Sequence, residues 1–370
     1  MVSNGIAGAL ARSWRERVGY LRLRMLLSRH GLGGYLRRGA RVDAEVGARL
    51  RRAASEAGVT YIALGRLLSV RRDIVPAAIA EELTRLGSDG VPMSWPDVEA
   101  VLRDSLGGPV EQVFAAVDRT PLAVSLIGQV HCARLCDGAP VVVKVLRPGV
   151  RAQVERDLPV LRRLARRVPG GVDVAERLSA SLREELDYTV ELANMRAVAA
   201  ADAGSTAVIP VPYPALSSTN ILVMQRLSGT PIGAAGPYLA LLDADTRTRA
   251  ARALLETALR QILIAGVFHA NLHPNNVLVD DDGTLGLLDF AAVGRLDEAE
   301  RRVIADLLAV PDKSDPIAAF GTEGRFPEQV ARAFRTLAGV ERTLLLLDPS
   351  FDFVAAARLG ALRGQGENRE

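Results

Sequence analysis

A lysine inside an apolar run is the first residue in the sequence that indicates chemistry. Among 46 lysines and arginines, Lys144 is one of only two lysines, and it lies inside the β-branched run of residues 141–145. A charge in such a run is costly unless a partner neutralises it, and a compact ammonium can meet a phosphate as a point charge. Lys144 is therefore a candidate phosphate ligand. The alternative is a lysine on an edge strand that faces water.

A pair of oxygen-bearing side chains gives the second signal. Asn276 follows a loop-like segment, Asp289 ends a short apolar strand, and the residues between them predict a hairpin. Kinase-like folds hold Mg²⁺ against ATP phosphates with ligands placed in this way, and hard oxygen ligands suit Mg²⁺. Taken singly, each side chain would more often form a turn. Together with Lys144, the pair predicts a Mg-ATP site.

An acidic cluster lies in a segment that is predicted to be one helix, residues 173–200. Its members are Glu184, Glu185, Asp187 and Glu191. Like charges at three- and four-residue spacing destabilise a helix, so the cluster favours a functional role, in which Glu191 pairs with Lys144 and orients it. The alternative is an acidic helix face exposed to solvent.

The elements that must position these residues are a small sheet and a larger set of helices. The hydrophobic pattern predicts helices over residues 12–38 (broken near residue 31), 41–57, 60–70, 97–106, 151–167, 173–200 and 243–265. It predicts strands over residues 123–135 (two strands and a turn), 141–145, 220–226, 277–279 and 285–288. A sheet followed by a helical half is typical of a two-lobed α+β fold.

Charge is unevenly distributed along the chain. The net charge is only +3, yet residues 1–53 contain twelve arginines against Glu16, Asp43 and Glu45. A basic segment with apolar residues between the charges is typical of binding to an anionic membrane or to nucleic acid. Nucleic acid is not favoured. A membrane surface bound by residues 1–40 and a plain solvated helix face stay open as alternatives.

Composition also limits the cellular setting. Cys132 and Cys136 do not have metal-ligand spacing, so a disulfide framework or a zinc site is not expected. The sequence has no run of 18 apolar residues and no signal-peptide pattern at its start. We therefore expect a cytoplasmic protein without a transmembrane helix, peripheral at the inner face of the membrane.

Ordered blocks along the chain resemble the UbiB/AarF family of atypical kinase-like ATPases, which is linked to isoprenoid quinone biosynthesis. Residues 60–66 correspond to the family's K-x-G-Q motif, and residues 121–131 to the Ala-rich loop that replaces the kinase Gly-rich loop. Residues 142–150 correspond to the strand with the phosphate-binding lysine. Glu185 and Asp187 match the family's E-x-D, and Glu191 matches its helix glutamate. Residues 221–224, 266–279 and 287–296 match the hinge strand, the catalytic loop and the metal loop.

The resemblance implies a two-lobed protein-kinase-like fold with an N-terminal helical extension, binding ATP and Mg. It implies nucleotide contacts by Ala123, Val124, Gly128, Gln129, Lys144, Glu185, Asp187 and Met224. It implies metal ligation by Asn276 and Asp289, and catalytic positions at Lys144, Glu191 and Asn271. The expected organisation is a basic extension (1–59), a helical region (60–119), an N-lobe (120–227), a shortened C-lobe (228–363) and a disordered tail (364–370).

Several positions depart from the family pattern. Ala63 replaces the K-x-G-Q lysine, Leu126 a serine of the Ala-rich loop, and Ala291 the glycine after Asp289-Phe290. Asn271 replaces the catalytic-loop aspartate. An amide cannot take a proton from an attacking hydroxyl, and general-base catalysis typically contributes about 10²–10⁴ in rate.

Three functions follow as hypotheses. The first is a UbiB-like enzyme that binds Mg-ATP, has weak ATPase or kinase activity, and supports quinone or lipid metabolism. The second is a pseudokinase that acts as a scaffold for a protein partner or a membrane surface. The third, disfavoured by the K-x-G-Q-like block and residues 142–150, is a small-molecule phosphotransferase of the aminoglycoside-kinase type.

Overall fold

The protein is an α+β chain, as predicted. A computed structural model describes residues 2–33, 43–71, 74–87, 90–168, 170–201, 204, 206–309 and 326–367, with side chains between residues 16 and 362. The expectations for residues 34–42 and 368–370 lie outside this part of the chain. The chain divides into two compact units. The first unit comprises Met1–Ala133, Val143–Asp187 and Thr219–Ile221, and the second comprises Arg134–Val142, Tyr188–Ser218 and Leu222–Glu370.

The largest sheet has five strands. They are β1 (Phe114–Val117), β2 (Ala123–Val124), β3 (Gly128–Leu135), β4 (Pro140–Leu146) and β5 (Ile221–Gln225). The order is β1-β3-β4-β5, and β2 pairs with β3 in antiparallel register, with Ala123 opposite Val130. The predicted Asp137-Gly138 turn joins β3 to β4. Gly138 has a φ of 94°, a conformation that glycine adopts at little cost.

Helices dominate the first unit. They are α1 (Val2–Arg29), α2 (Ala44–Ala57), α3 (Val59–Ser69), α4 (Ala77–Leu83), α5 (Trp95–Leu106), α6 (Val150–Ala165) and α7 (Gly171–Glu185). Capping fixes several ends: the Asp43 carboxylate accepts a hydrogen bond from the Val46 backbone N–H at 3.1 Å, and Ser94 caps α5. α2, α3 and α4 pack together. Their shared core consists of Leu32, Val46, Ala53, Ile62, Ile79, Leu83 and Leu86, called here the N-terminal cluster.

The second unit combines helices with two small sheets. Its helices are α8 (Tyr188–Ala201), α9 (Gly236–Leu239), α10 (Ala244–Leu259), α11 (Glu298–Ala309), α12 (Glu328–Leu347) and α13 (Phe353–Glu367). Its short strands are β6 (Thr230–Pro231), β7 (Val267–His269), β8 (Val277–Val279), β9 (Leu285–Leu287) and β10 (Val293–Arg295). The strands pair as β6-β8-β9 and as β10-β7. α10 packs on α12, and α8 contacts β7.

The single helix predicted over residues 173–200 is wrong, because α7 ends at Glu185 and α8 begins at Tyr188. The Leu186 carbonyl, which would accept the next hydrogen bond of a continuous helix, accepts one from the Arg151 guanidinium at 2.6 Å instead. Glu185 and Glu191 therefore lie on different helices. The four acidic residues therefore do not share one continuous helix, in which like charges at this spacing would be destabilising.

The α-helix predicted to run to Ala265 ends earlier, at Leu259. Residues Arg260–Ala265 form a π-helical turn. The Arg301 guanidinium donates hydrogen bonds to the carbonyls of Leu263 and Ile264, which leaves the chain free to turn into β7. At the C-terminal end, α13 continues to Glu367 and so includes residues 364–367, which were predicted to begin a disordered tail.

Candidate functional site

The β8–β9 hairpin brings Asn276 and Asp289 together. Val277 lies opposite Leu287, so the residues just outside the paired strands meet at the open end of the hairpin. There the Asn276 Nδ2 lies 3.5 Å from the Asp289 Oδ2 and donates to the Asn271 carbonyl at 3.0 Å. Because its nitrogen makes both contacts, the amide oxygen is the atom of Asn276 suited to a cation.

Asp289 has an unusual backbone. It is the only non-glycine residue with positive φ in the described part of the chain, at 63°. Left-handed backbone is uncommon for residues other than glycine and costs roughly 1 kcal/mol or more, although Asp and Asn tolerate it best. Strain of this kind persists where the surrounding structure fixes it, and it is frequent at functional sites.

Helix α8 supplies what fixes this backbone. The Glu191 Oε1 accepts a hydrogen bond from the Phe290 backbone N–H at 3.2 Å, and the Asn194 Nδ2 donates to the Phe290 carbonyl at 3.1 Å. Glu191 is only 3% exposed. Residues three apart lie on one helix face, so α8 binds both backbone polar groups of Phe290, the residue that follows Asp289.

The loop that contains Asn271 is organised by a buried histidine. His269 Nε2 lies 2.8 Å from the Leu288 carbonyl, and its Nδ1 accepts from the Asn271 backbone N–H at 3.1 Å. These partners require the tautomer with hydrogen on Nε2. Burial lowers the pKa of His269, so the ring stays neutral. His269 and Phe290 make an edge-on ring contact with centroids 4.8 Å apart.

In the first unit, the β2–β3 hairpin is closed by Ser125 and Gly128. The Ser125 N–H donates to the Gly128 carbonyl at 2.8 Å, and the Gly128 N–H donates to the Ser125 hydroxyl at 3.2 Å. The Arg147 guanidinium donates to the carbonyls of Ser125 and Val91. Leu126, at the tip, packs against the N-terminal cluster. The Leu126 side chain is therefore used in packing.

Gln129, expected to contact nucleotide, makes internal contacts. Its amide oxygen accepts from the Met93 N–H at 2.7 Å, and its nitrogen lies 2.7 Å from the His131 Nε2. His131 Nδ1 in turn lies 2.7 Å from the Asp118 carbonyl. Gln129 is 2% exposed, so its geometry indicates a structural link between β3 and the segment before α5.

The other expected site residues are divided between the two units. Lys144 is half-buried on β4, between the fully buried Val143 and Val145, and Glu185 accepts a hydrogen bond from the Ser181 hydroxyl at 3.3 Å. These residues lie in the first unit, together with Ala123 and Val124 of β2, Gly128 and Asp187. Met224, Glu191, Asn271, Asn276 and Asp289 lie in the second. Pairing of Lys144 with Glu191 stays a prediction.

Sequence reasoning gave no role to three residues that organise the surroundings of Asn271 and Asp289. They are Asn194, Gln261 and His269. Gln261 is fully buried, and its amide oxygen accepts from the His269 N–H at 3.0 Å. Only Asn194 left a usable signal, because it follows Glu191 by three residues and so lies on the same helix face.

Comparison with known protein families decides the identity of this fold. The model of the ABC1 atypical kinase-like domain matches residues 85–315. The chain belongs to the ABC1 family of atypical kinase-like domains. The predicted UbiB-type resemblance and the protein-kinase-like fold class are confirmed.

Curated relatives agree with the ABC1 assignment. A probable protein kinase UbiB of Cellvibrio japonicus is 34% identical over 282 residues, which cover 71% of this chain and 50% of that protein. An uncharacterized protein of Synechocystis is 32% identical over 275 residues, 70% of this chain and 67% of the relative. The chain spans about half the length of the UbiB relatives it matches.

A solved structure shares the fold. The Rv3197–erythromycin complex from Mycobacterium tuberculosis superposes with a TM-score of 0.56 at 23% identity, covering 82% of this chain and 94% of the other. Within the described residues, no helix is both long enough and apolar enough to cross a bilayer.

Proposed function

We propose that the chain is a divergent ABC1-family protein that binds Mg-ATP and turns it over slowly. The observation that carries this proposal is the geometry around Asp289. A carboxylate next to an amide, on a left-handed backbone whose next residue is hydrogen-bonded by α8, is typical of a ligand site. Lys144 on β4 would bind phosphate, as its place in the sequence predicts.

The residues present fit a magnesium ion. Asp289 supplies a carboxylate and Asn276 an amide oxygen, both of them hard ligands of the kind that Mg²⁺ prefers. When bound, the ion would neutralise charge on the phosphates. The chain's own contribution is positional: the Asn276 contacts and the α8 hydrogen bonds hold these two ligands in place.

Proton transfer is the step of the proposed reaction that these residues support least. Asn271 is a very weak base, and its amide can only orient a hydroxyl or a water molecule. His269, two residues away, cannot replace it, because both ring nitrogens have partners and burial lowers its pKa. Phosphoryl transfer depends mostly on positioning and charge stabilisation, so we propose slow ATPase or kinase activity.

The biological setting is proposed from the family alone. The UbiB names of the relatives favour a role in isoprenoid quinone or lipid metabolism, with peripheral attachment to an anionic membrane through residues 1–40. The second candidate is a catalytically impaired pseudokinase that acts as a nucleotide-binding scaffold for a protein partner. The absence of a general base at Asn271 and His269 favours this second candidate.

Ligand-induced stabilisation tests the proposal. Mg-ATP at about 100 times its dissociation constant should stabilise the protein by roughly 2.7 kcal/mol. Asp289→Ala and Asp289→Asn should both abolish the shift, and Asp289→Asn is the matched variant because asparagine also tolerates left-handed backbone. No shift in the wild type, or a full shift in both variants, would refute the proposed site.

A further inference from the structure

The outer face of α1 has a pattern that the proposed nucleotide chemistry does not use. The opposite, inner face packs on α6: Glu16 pairs with Arg163 at 3.9 Å, and the Arg163 guanidinium lies 4.7 Å from the Tyr20 ring centre. Leu23 is also on the inner face and is 8% exposed. These contacts fix the rotation of the helix and therefore define which residues point outward.

Two apolar side chains occupy the middle of the outer face. Leu21 is 52% exposed and Met25 is 61% exposed, and they are one helical turn apart. Exposed apolar side chains are common on protein surfaces, but a patch of them rimmed by polar or charged residues marks an interaction surface.

Arginines run along both edges of this apolar pair. At about 100° per residue, Arg17 and Arg24 lie on one edge, and Arg22 and Arg29 lie on the other. Each pair is separated by seven residues, so each forms a row parallel to the helix axis. Arg29 also pairs with Glu56 at 2.9 Å, but its side chain is 72% exposed and can exchange partners.

We propose that α1 lies flat on an anionic lipid bilayer through this outer face. Leu21 and Met25 would enter the boundary between headgroups and acyl chains, and the four arginines would extend sideways to lipid phosphates. An apolar centre with long cationic residues on both flanks matches the cross-section of an interfacial helix. The inference names the face used in the membrane attachment proposed above and therefore rests on it.

The pattern favours a bilayer over nucleic acid. A polyanion in water would be bound by the arginines alone, and Leu21 and Met25 would add nothing. The two classes of partner therefore differ in how binding depends on the apolar residues. The spacing also continues in the sequence, where Trp14 and Arg15 precede Leu21 and Arg22 by seven residues.

Sedimentation with vesicles tests the proposal on the full chain. The vesicles would contain phosphatidylcholine with about one third phosphatidylglycerol, and vesicles of phosphatidylcholine alone would be the comparison. We expect the double variant Leu21→Ser, Met25→Ser to lose at least tenfold in partition coefficient. The matched control is Leu345→Ser, Leu346→Ser, which removes two leucines of α12 that are 46% and 49% exposed. It should bind as the wild type does.

A charge series separates the two contributions. Arg17→Gln, Arg24→Gln should weaken binding to anionic vesicles about tenfold at low salt, with less effect at high salt because ions screen exposed charges. Arg103→Gln, Arg335→Gln removes two exposed arginines elsewhere and should change nothing. Thermal unfolding of every variant without lipid would check that the fold is retained.

The outcomes are distinct. Loss of binding in both α1 double variants, with both controls unaffected, supports the outer face as the membrane surface. Wild-type binding that is unchanged by Leu21→Ser, Met25→Ser leaves membrane attachment standing but overturns this face. Wild-type protein that does not sediment with anionic vesicles overturns the face and the attachment together, and leaves the nucleotide proposal untouched.

Discussion

Asn271 occupies the position on which the proposed catalytic activity depends most. The backbone around it is well ordered, since its N–H donates to His269 and its carbonyl accepts from Asn276. Its side chain is an amide, where the resemblance predicts a carboxylate. The scaffold for a base is therefore present, and a one-atom change should show what the loop can do.

We expect Asn271→Asp to raise Mg-dependent ATP turnover by about 10-fold or more, because a positioned general base typically contributes 10²–10⁴. Single-turnover kinetics would measure the chemical step directly. Asn275→Asp, on the exposed part of the same loop, is the matched control for added charge and should not raise the rate. An unchanged rate in Asn271→Asp would favour the scaffold hypothesis.

Glu191 makes a hydrogen bond in the fold that its sequence position did not predict. Its carboxylate accepts from the Phe290 N–H, and a glutamine could do the same. We expect Glu191→Gln to keep most of its Mg-ATP affinity. Glu191→Ala should lose about tenfold, since an unsatisfied buried N–H costs about 1–3 kcal/mol. Calorimetric titrations with and without Mg²⁺ would show the loss only when Mg²⁺ is present.

Asn194, which binds the Phe290 carbonyl, provides a second test of this contact, and Asn220 provides the control. Asn194→Asp replaces the donor to the Phe290 carbonyl with an acceptor and should also weaken Mg-dependent binding. Asn220→Asp keeps the oxygen that Arg151 uses and should have no effect. If Glu191→Gln were as damaging as Glu191→Ala, the charge itself would be what matters, as in the predicted pairing with Lys144.

At the scale of elements, the β2–β3 hairpin shows how a change of residue type alters the use of a loop. Leu126 packs against the N-terminal cluster, and Arg147 ties the Ser125 carbonyl to the Val91 carbonyl. Gln129 adds a hydrogen bond to Met93. The hairpin is therefore anchored to the helical region that precedes it, at three points.

Replacing Leu126 should separate packing from phosphate binding. Both Leu126→Ala and Leu126→Ser remove half-buried apolar surface and should destabilise the first unit by about 1–2 kcal/mol. Only Leu126→Ser supplies a hydroxyl, so only it should improve Mg-ATP affinity, by a few-fold. Chemical denaturation and nucleotide titration would measure the two effects. Equal nucleotide affinity in both variants would contradict a phosphate role for this position.

Local patterns predicted most elements but not the places where distant side chains intervene. The hairpin between Asn276 and Asp289 follows from its turn signals. The break at Leu186 could not be predicted, because Arg151 binds its carbonyl, nor could the π-helical turn after α10, where Arg301 binds the carbonyls of Leu263 and Ile264. Likewise, nothing near Gln129 in the sequence indicates that Met93 and His131 would take both ends of its amide.

At the scale of the whole molecule, the basic N-terminal segment both contributes buried residues to the fold and exposes basic residues to solvent. Leu32 belongs to the N-terminal cluster at 3% exposure, and Leu23 is 8% exposed. The proposed membrane attachment and the stability of the fold would therefore both depend on this segment. Removing the segment would change both properties at once.

We expect deletion of residues 1–40 to destabilise the protein by about 3 kcal/mol or more, since two buried leucines contribute roughly 1.5–3 kcal/mol each. Thermal and urea unfolding would measure it. Deletion of residues 2–13, which keeps Glu16, Tyr20 and both buried leucines, is the comparison. An unchanged midpoint after the longer deletion would mean that α1 contributes little to the first unit.

The left-handed backbone at Asp289 lowers the stability of the folded protein relative to a variant with glycine at this position. Glycine would occupy that position without strain, so a library of variants at residue 289 selected only for yield or heat resistance should enrich glycine and discard aspartate. The same library selected for nucleotide retention should do the opposite. Comparing the two enrichment profiles would show whether folding stability or nucleotide binding accounts for the aspartate at this position.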